Sequence, residues 1–149
     1  MNDTEYMRLA LELAKKGCGW TSPNPMVGAV IVKDGQIIGQ GWHERYGQPH
    51  AERNALASCA VDPEGATMYV TLEPCPMCAG AILNARISRV VYGAADPKAG
   101  CMGSVCDLTA MPFPTVPYYK SGVLEAECRA ELDRFFRGLR QREAAADQM

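Results

Sequence analysis

Two short segments carry side chains suited to metal-assisted chemistry: His50-Ala51-Glu52 and Pro74-Cys75-Pro76-Met77-Cys78. Cys75 and Cys78 are three residues apart, about one helical turn, so both sulfurs can face one ion. Pro76 suits a first helical position, which puts the pair at a helix N-terminus. Unpaired N–H groups and the positive dipole end there favour thiolate over thiol. Two thiolates and the neutral imidazole of His50 form a donor set for Zn2+. Three protein ligands leave one tetrahedral position for water, which marks a catalytic rather than a closed structural site. Zinc lowers the pKa of such a water to roughly 7. Glu52, two residues past His50, is placed to take that water's proton and hand it on. The chemistry implied is hydrolysis.

Two plainer readings of the cysteine pair stand beside this one. A structural zinc site needs a fourth ligand. The remaining candidates are His43, Cys59, Cys101, Cys106 and Cys128, and none of these cysteines sits in a second close pair. A thioredoxin-like redox pair needs a βαβ context that does not precede Cys75. Cysteines outside the pair read as small core or loop residues.

Local patterns supply the elements that must position these residues. A first helix is expected from Asp3 to Lys16, with Asn2 as its cap, Gly17 as its end, and Tyr6, Leu9, Ala10, Leu13 and Ala14 inward. The segment Thr21-Ser22-Pro23-Asn24-Pro25 reads as a rigid loop. Val27–Val32, the Asp34-Gly35 turn and Gln36–Trp42 form a hairpin, with Trp42 packing as a strand residue. A short helix starts near His50. Ala66–Thr71 is a strand, Met77–Ala85 a helix, and Ser88–Tyr92 another strand. Gly93 to Pro117 reads mostly as loop, with Val116–Tyr119 a candidate edge strand. The last helix is expected from Val123 to Arg142, buried through Cys128, Leu132, Phe135, Phe136 and Leu139, with 143–149 a frayed tail. Helix-connected neighbouring strands should be parallel and the hairpin antiparallel, which gives an α/β sandwich with a mixed sheet.

A length of 149 residues fits a single domain over 1–149. The 48% apolar and 21% charged content fits a soluble globular protein. A net charge of −2 gives no global attraction to nucleic acid or anionic membrane. No apolar run approaches the roughly 20 residues of a membrane helix, and the acidic start is no signal peptide. Seven cysteines, an odd number, argue against a disulfide framework. The expected location is the cytoplasm.

Together the two segments read H-x-E…P-C-x-x-C, a pattern known from zinc nucleobase deaminases and matched here rather than deduced. The chain resembles the cytidine-deaminase-like superfamily over nearly its whole length. The resemblance implies a three-layer α/β/α sandwich with a five-stranded sheet. It also implies zinc ligands His50, Cys75 and Cys78, with Glu52 as proton shuttle and the backbone around Pro74 beside the attacked ring. The implied activity is that of a hydrolase acting on C–N bonds of cyclic amidines, which turns an exocyclic amine into a carbonyl and releases ammonia. A homodimer is implied as well.

Two branches are resembled by different halves. The segment from Ser22 through Val32, with Gly41-Trp42-His43 and Gly47 to Leu56, is similar to the deaminase half of riboflavin-biosynthesis deaminase/reductases. That likeness implies Asn24 and His43 as substrate contacts. Thr71 to Ile82, Asp96-Pro97-Lys98-Ala99-Gly100, Gly103-Ser104 and the Phe135-Phe136-Arg137 helix resemble bacterial tRNA adenosine deaminases. The riboflavin-type enzymes carry a longer insert between the cysteines and a following reductase domain, so a separate reductase would be needed. The tRNA enzymes carry Asn where His43 stands and an Asn-His pair where Met111 to Thr115 stand. Contact positions weigh more than scaffold, because a site built to hydrogen-bond one ring rejects others. The expected substrate is therefore a small aminopyrimidine nucleotide, with a tRNA wobble adenosine or a free nucleobase or nucleotide as alternatives. A non-catalytic scaffold subunit would not need Glu52. Asp96 and Lys98 either bind substrate or cap their loop, and Glu73 is placed to orient the cysteine turn. The alternating Arg and Glu residues of the last helix form a solvated face or an RNA contact.

Overall fold

The computed structural model describes residues 1–18, 21 and 24–147. Trp20, Ser22, Pro23 and the last two residues of the expected tail lie outside the described residues. Five strands form one mixed sheet in the order β2-β1-β3-β4-β5. They are β1 (Gly28–Lys33), β2 (Gln36–Trp42), β3 (Thr67–Leu72), β4 (Arg89–Ala94) and β5 (Tyr118–Lys120). The hairpin β1–β2 and the pair β1–β3 are antiparallel, while β3–β4 and β4–β5 are parallel. Asp34 and Gly35 both have positive φ, 52° and 75°, as the tight hairpin turn requires.

Strand residues alternate between two apolar layers. Ala29, Ile31, Met68, Val70, Val90 and Tyr92 pack with Ala51 and Ala55 of α2 (Ala51–Ala57) and Ala79 and Ile82 of α3 (Pro76–Asn84). Val30, Val32, Tyr69 and Val91 pack on the other face with α1 (Asp3–Lys15) and α4 (Glu125–Asp147). This is the expected three-layer sandwich. Gly28 sits where α1 crosses β1, and a Cβ there would overlap the Ala10 carbonyl oxygen.

α1 is capped by Asn2, whose side chain accepts from the Glu5 N–H at 2.9 Å. It buries Met7 and Leu11 beyond the expected stripe, and Leu9 is only half-buried. Asp3 ties this layer to the sheet. Its carboxylate takes Arg89 Nη1 at 3.1 Å and Nη2 at 2.7 Å, Tyr69 Oη at 2.6 Å and Lys120 Nζ at 3.3 Å. Trp42 packs against this layer half-buried, with Lys16 Nζ 4.7 Å from its ring centroid.

The last helix departs from expectation at both ends. It starts at Glu125 rather than Val123 because Leu124 has φ 53°, outside the right-handed region. It runs to Asp147, so 143–147 is helical rather than a frayed tail; Arg, Gln, Glu and Ala are good helix formers. Only Cys128 and Leu132 are buried, Phe135 and Leu139 are half-buried, and Phe136 is exposed. α4 thus outruns the sheet that covers its first half. Between β4 and β5 the chain makes a short 3-10 turn at Leu108–Ala110.

Candidate active site and metal centre

His50 and Cys75 occupy matching places. Each is the N-cap of its helix, extended in backbone, and neither side chain makes a capping hydrogen bond. His50 directs Nδ1 at the sulfurs, 3.7 Å from Cys75 Sγ and 3.5 Å from Cys78 Sγ. The donor atoms of His50, Cys75 and Cys78 all lie within 4.8 Å of one another. A tetrahedral ion with Zn–N near 2.0 Å and Zn–S near 2.3 Å separates N from S by about 3.5 Å. The spacing therefore suits zinc.

The electrostatics agree. A hydrogen bond from the Cys78 thiol, joined by His50 and the Cys78 N–H, brings Cys75 down to about 4. The thiolate of Cys75, with burial and the nearby Glu52, pushes Cys78 far upward. The two sulfurs share one negative charge, and a cation between them would let both ionise. The hydrogen bond to Cys75 raises His50. Glu52 is 4% exposed, and burial lifts its carboxyl to about 7. Glu52 and Cys78 shift each other's ionisation, so the carboxyl lies near the ligand cluster.

These groups open onto a cavity of about 220 Å³ lined by Asn24, His43, His50, Glu52, Cys75 and Asp96 among others. The volume lies below the roughly 300 Å³ lower end of drug-sized pockets and suits a compact heterocycle. His43 is 3% exposed, with its ring edge-on to that of His50 at 5.5 Å. Its Nδ1 lies 3.2 Å from the Pro49 carbonyl oxygen. A carbonyl only accepts, so Nδ1 carries a hydrogen, and in the neutral ring Nε2 is the acceptor. Nε2 is buried with no partner among the described residues.

Other sequence expectations divide. Pro74 is buried and does not line the cavity; its carbonyl accepts from the Cys101 N–H at 2.9 Å. Asp96 lines the cavity and also caps its loop, accepting from the Lys98 and Ala99 N–H groups at 3.0 and 3.2 Å. Lys98 is exposed and does not line the cavity. Asn24 lines it, and its N–H donates to the Thr21 carbonyl at 2.7 Å.

Glu73 does more than its place before the cysteine turn suggests. This carboxylate is 2% exposed and lines the cavity. It accepts from the N–H groups of Asp96 (3.1 Å), Met102 (3.0 Å) and Ser104 (3.1 Å), and from the Ser104 hydroxyl. Every partner is a donor. Gly100 lies so close that a Cβ there would overlap the Glu73 carboxyl group. Glu73 thus clamps the 96–104 loop to the cysteine turn. The only local signal was a carboxylate between a strand end and a proline. Val27, Leu72 and Ala99 complete the wall, and sequence alone gave no reason to separate them from core residues.

The sequence pattern of the cytidine and deoxycytidylate deaminase zinc-binding region matches residues 1–94. The chain belongs to this family. Over 142 aligned residues this deaminase is 44% identical to the riboflavin biosynthesis protein RibD of Actinobacillus pleuropneumoniae, covering 91% of its own chain and 37% of the relative. It is 42% identical to the tRNA-specific adenosine deaminase of Bacillus subtilis, with 97% and 94% covered. A solved diaminohydroxyphosphoribosylaminopyrimidine deaminase/5-amino-6-(5-phosphoribosylamino)uracil reductase from Thermotoga maritima superposes with a TM-score of 0.75 at 36% identity, covering 94% of this chain and 42% of that one. The deaminase spans well under half the length of these riboflavin-pathway relatives. Zinc is its cofactor, in keeping with the family and with the His50, Cys75 and Cys78 cluster.

Proposed function

We propose that this zinc deaminase removes an exocyclic amine from a small phosphorylated aminopyrimidine of the kind used in riboflavin biosynthesis. The observation that carries this reading is His43, which lines the cavity and whose buried Nε2 has no partner among the described residues. As an acceptor it is matched by a ring bearing an N–H donor besides the amine that leaves. A diaminopyrimidine has such a donor. The adenosine of a tRNA does not, because with N9 bonded to ribose its leaving amine is the only N–H donor on the base. The riboflavin-pathway relatives support the same substrate class.

His50, Cys75 and Cys78 hold the metal in this proposal. Bound zinc supplies Lewis acidity, which makes water a competent nucleophile near neutral pH. Glu52, whose carboxyl burial raises, is placed to accept and release a proton. It takes one proton of the attacking water and gives it to the ring nitrogen, then takes the remaining proton from the hydroxyl added to the ring carbon and delivers it to the departing amine. Asn24 and His43 orient the ring, and Asp96 lines the same cavity. Glu73 keeps the loop that carries Asp96 in place.

Ammonia release from the phosphorylated diaminopyrimidine, with none from an anticodon stem-loop, is the expected result. The reverse result overturns the substrate. A second reading, wobble adenosine deamination in tRNA, is favoured by the nearly end-to-end match to the Bacillus enzyme. It requires inosine in the stem-loop and binding that weakens steeply with salt. We further propose a homodimer in the cytoplasm. The odd number of cysteines, seven, argues against a disulfide framework of the exported kind, and sedimentation tests the dimer. Among the described residues no helix is long and apolar enough to cross a membrane.

A further inference from the structure

The loop that Glu73 clamps contains Cys101, and Cys106 follows two residues beyond it; neither belongs to the metal cluster. Cys101 is buried and Cys106 is exposed, and their sulfurs lie 2.6 Å apart. The backbone holds them there. Met102 and Asp107 form an antiparallel bridge. The Gly103 N–H donates to the Cys106 carbonyl at 3.0 Å, and the Leu108 N–H to the Cys101 carbonyl at 3.1 Å. Positions 101 and 106 therefore sit on facing arms of a tight turn. Little movement is needed to bring the sulfurs to the roughly 2.05 Å of a bond.

We propose that Cys101 and Cys106 form a reversible disulfide that locks the Glu73-bound loop against the cavity wall. The reagent class is a small-molecule disulfide such as oxidised glutathione. The exposed Cys106 thiolate attacks one glutathione sulfur, forms a mixed disulfide and displaces the first glutathione thiolate. Cys101 then attacks Cys106 Sγ and displaces the second. One sulfur–sulfur bond is made in the protein and one is broken in the reagent. The two electrons and both thiol protons leave with two reduced glutathiones.

The bond would bracket the donors that hold Glu73. The Met102 and Ser104 N–H groups lie between the two cysteines, and the Cys101 N–H donates to Pro74, next to Cys75. Closure removes freedom from the unfolded chain and leaves the native contacts in place.

The test equilibrates the zinc-loaded full chain in glutathione buffers of increasing oxidised fraction, alkylates free thiols and maps the peptides. The expected product is a Cys101–Cys106 link, two hydrogens lighter and reopened by reduced glutathione, with zinc content unchanged. Closing this short loop should raise the melting temperature by roughly 5 °C. Cys106→Ser, a change at an exposed position, should remove both the link and the shift. The proposal is overturned if Cys101 is alkylated at every ratio, or if Cys106 stops at the glutathione adduct. A Cys75–Cys78 link with zinc release, or a melting temperature that falls on closure, also overturns it.

Discussion

Replacing Glu73 with glutamine exchanges one carboxylate oxygen for an amide nitrogen at almost constant volume. In the native site Oε2 receives the N–H groups of Met102 and Ser104, and Oε1 receives the Asp96 N–H and the Ser104 hydroxyl. A glutamine can turn its carbonyl oxygen toward Met102 and Ser104, which leaves its NH2 facing the other pair. The Ser104 hydroxyl can rotate and accept, but the Asp96 N–H cannot, so a buried donor is stranded at a cost of about 1–3 kcal/mol. The surviving bonds lose charge assistance, each falling from about 1.5–3 toward about 1 kcal/mol. The expected loss is about 3 kcal/mol, a large share of the roughly 5–15 kcal/mol of a typical domain. Urea unfolding at pH 7 of the zinc-loaded protein measures it as a lower midpoint at unchanged slope. Turnover should fall as well, because the released loop carries Asp96 at the cavity. A midpoint that corresponds to less than about 1 kcal/mol would refute the clamp.

Glu52→Ala should keep zinc, measured by metal analysis, and lose at least about a hundredfold in turnover, since general acid–base groups contribute about 10²–10⁴; near-parental activity would refute the proton-shuttle role. Cys75→Ala should lose zinc and unfold at lower temperature, because metal binding is coupled to folding; full metal occupancy by elemental analysis would exclude Cys75 as a ligand. Asp3→Asn should cost about 1 kcal/mol at pH 7, kept modest because the Arg89 side chain is partly exposed to solvent. Hydrogen bonding to Arg89 holds Asp3 well below the usual carboxylate range. Its contribution is therefore fully present above about pH 4 and drains as pH falls toward the lower folded value. Urea midpoints of parent and variant should converge between about pH 4 and pH 2, and a constant gap would contradict the linkage.

The chemistry was legible because it is local. His50 and Glu52 share one short segment, and Cys75 and Cys78 share one helical turn, so neighbours in sequence became neighbours in space. The hairpin was legible for the same reason, through Asp34-Gly35 and the apolar β-branched strand that precedes it. What escaped depends on distant partners. Asp3 looks like an ordinary first-turn acid until Tyr69, Arg89 and Lys120 converge on it from three strands. Glu73 looks like a surface carboxylate until the 96–104 loop folds over it. The periodicity of α4 marks an apolar stripe but not the point where the sheet beneath it ends, so Phe136 was assigned to a core it does not reach.

His50 and Cys75 begin their helices without closing them, since neither side chain bonds a backbone N–H in the first turn. A serine or aspartate there would secure each start by about 1 kcal/mol. The chain forgoes that security where its donor atoms must stay available. Without metal, these two helix starts should be the first places to open to hydrogen exchange, and loading would knit them together from outside the backbone. Selection for a more robust apoprotein would press on these same positions, and each gain there would be taken from the metal's grip.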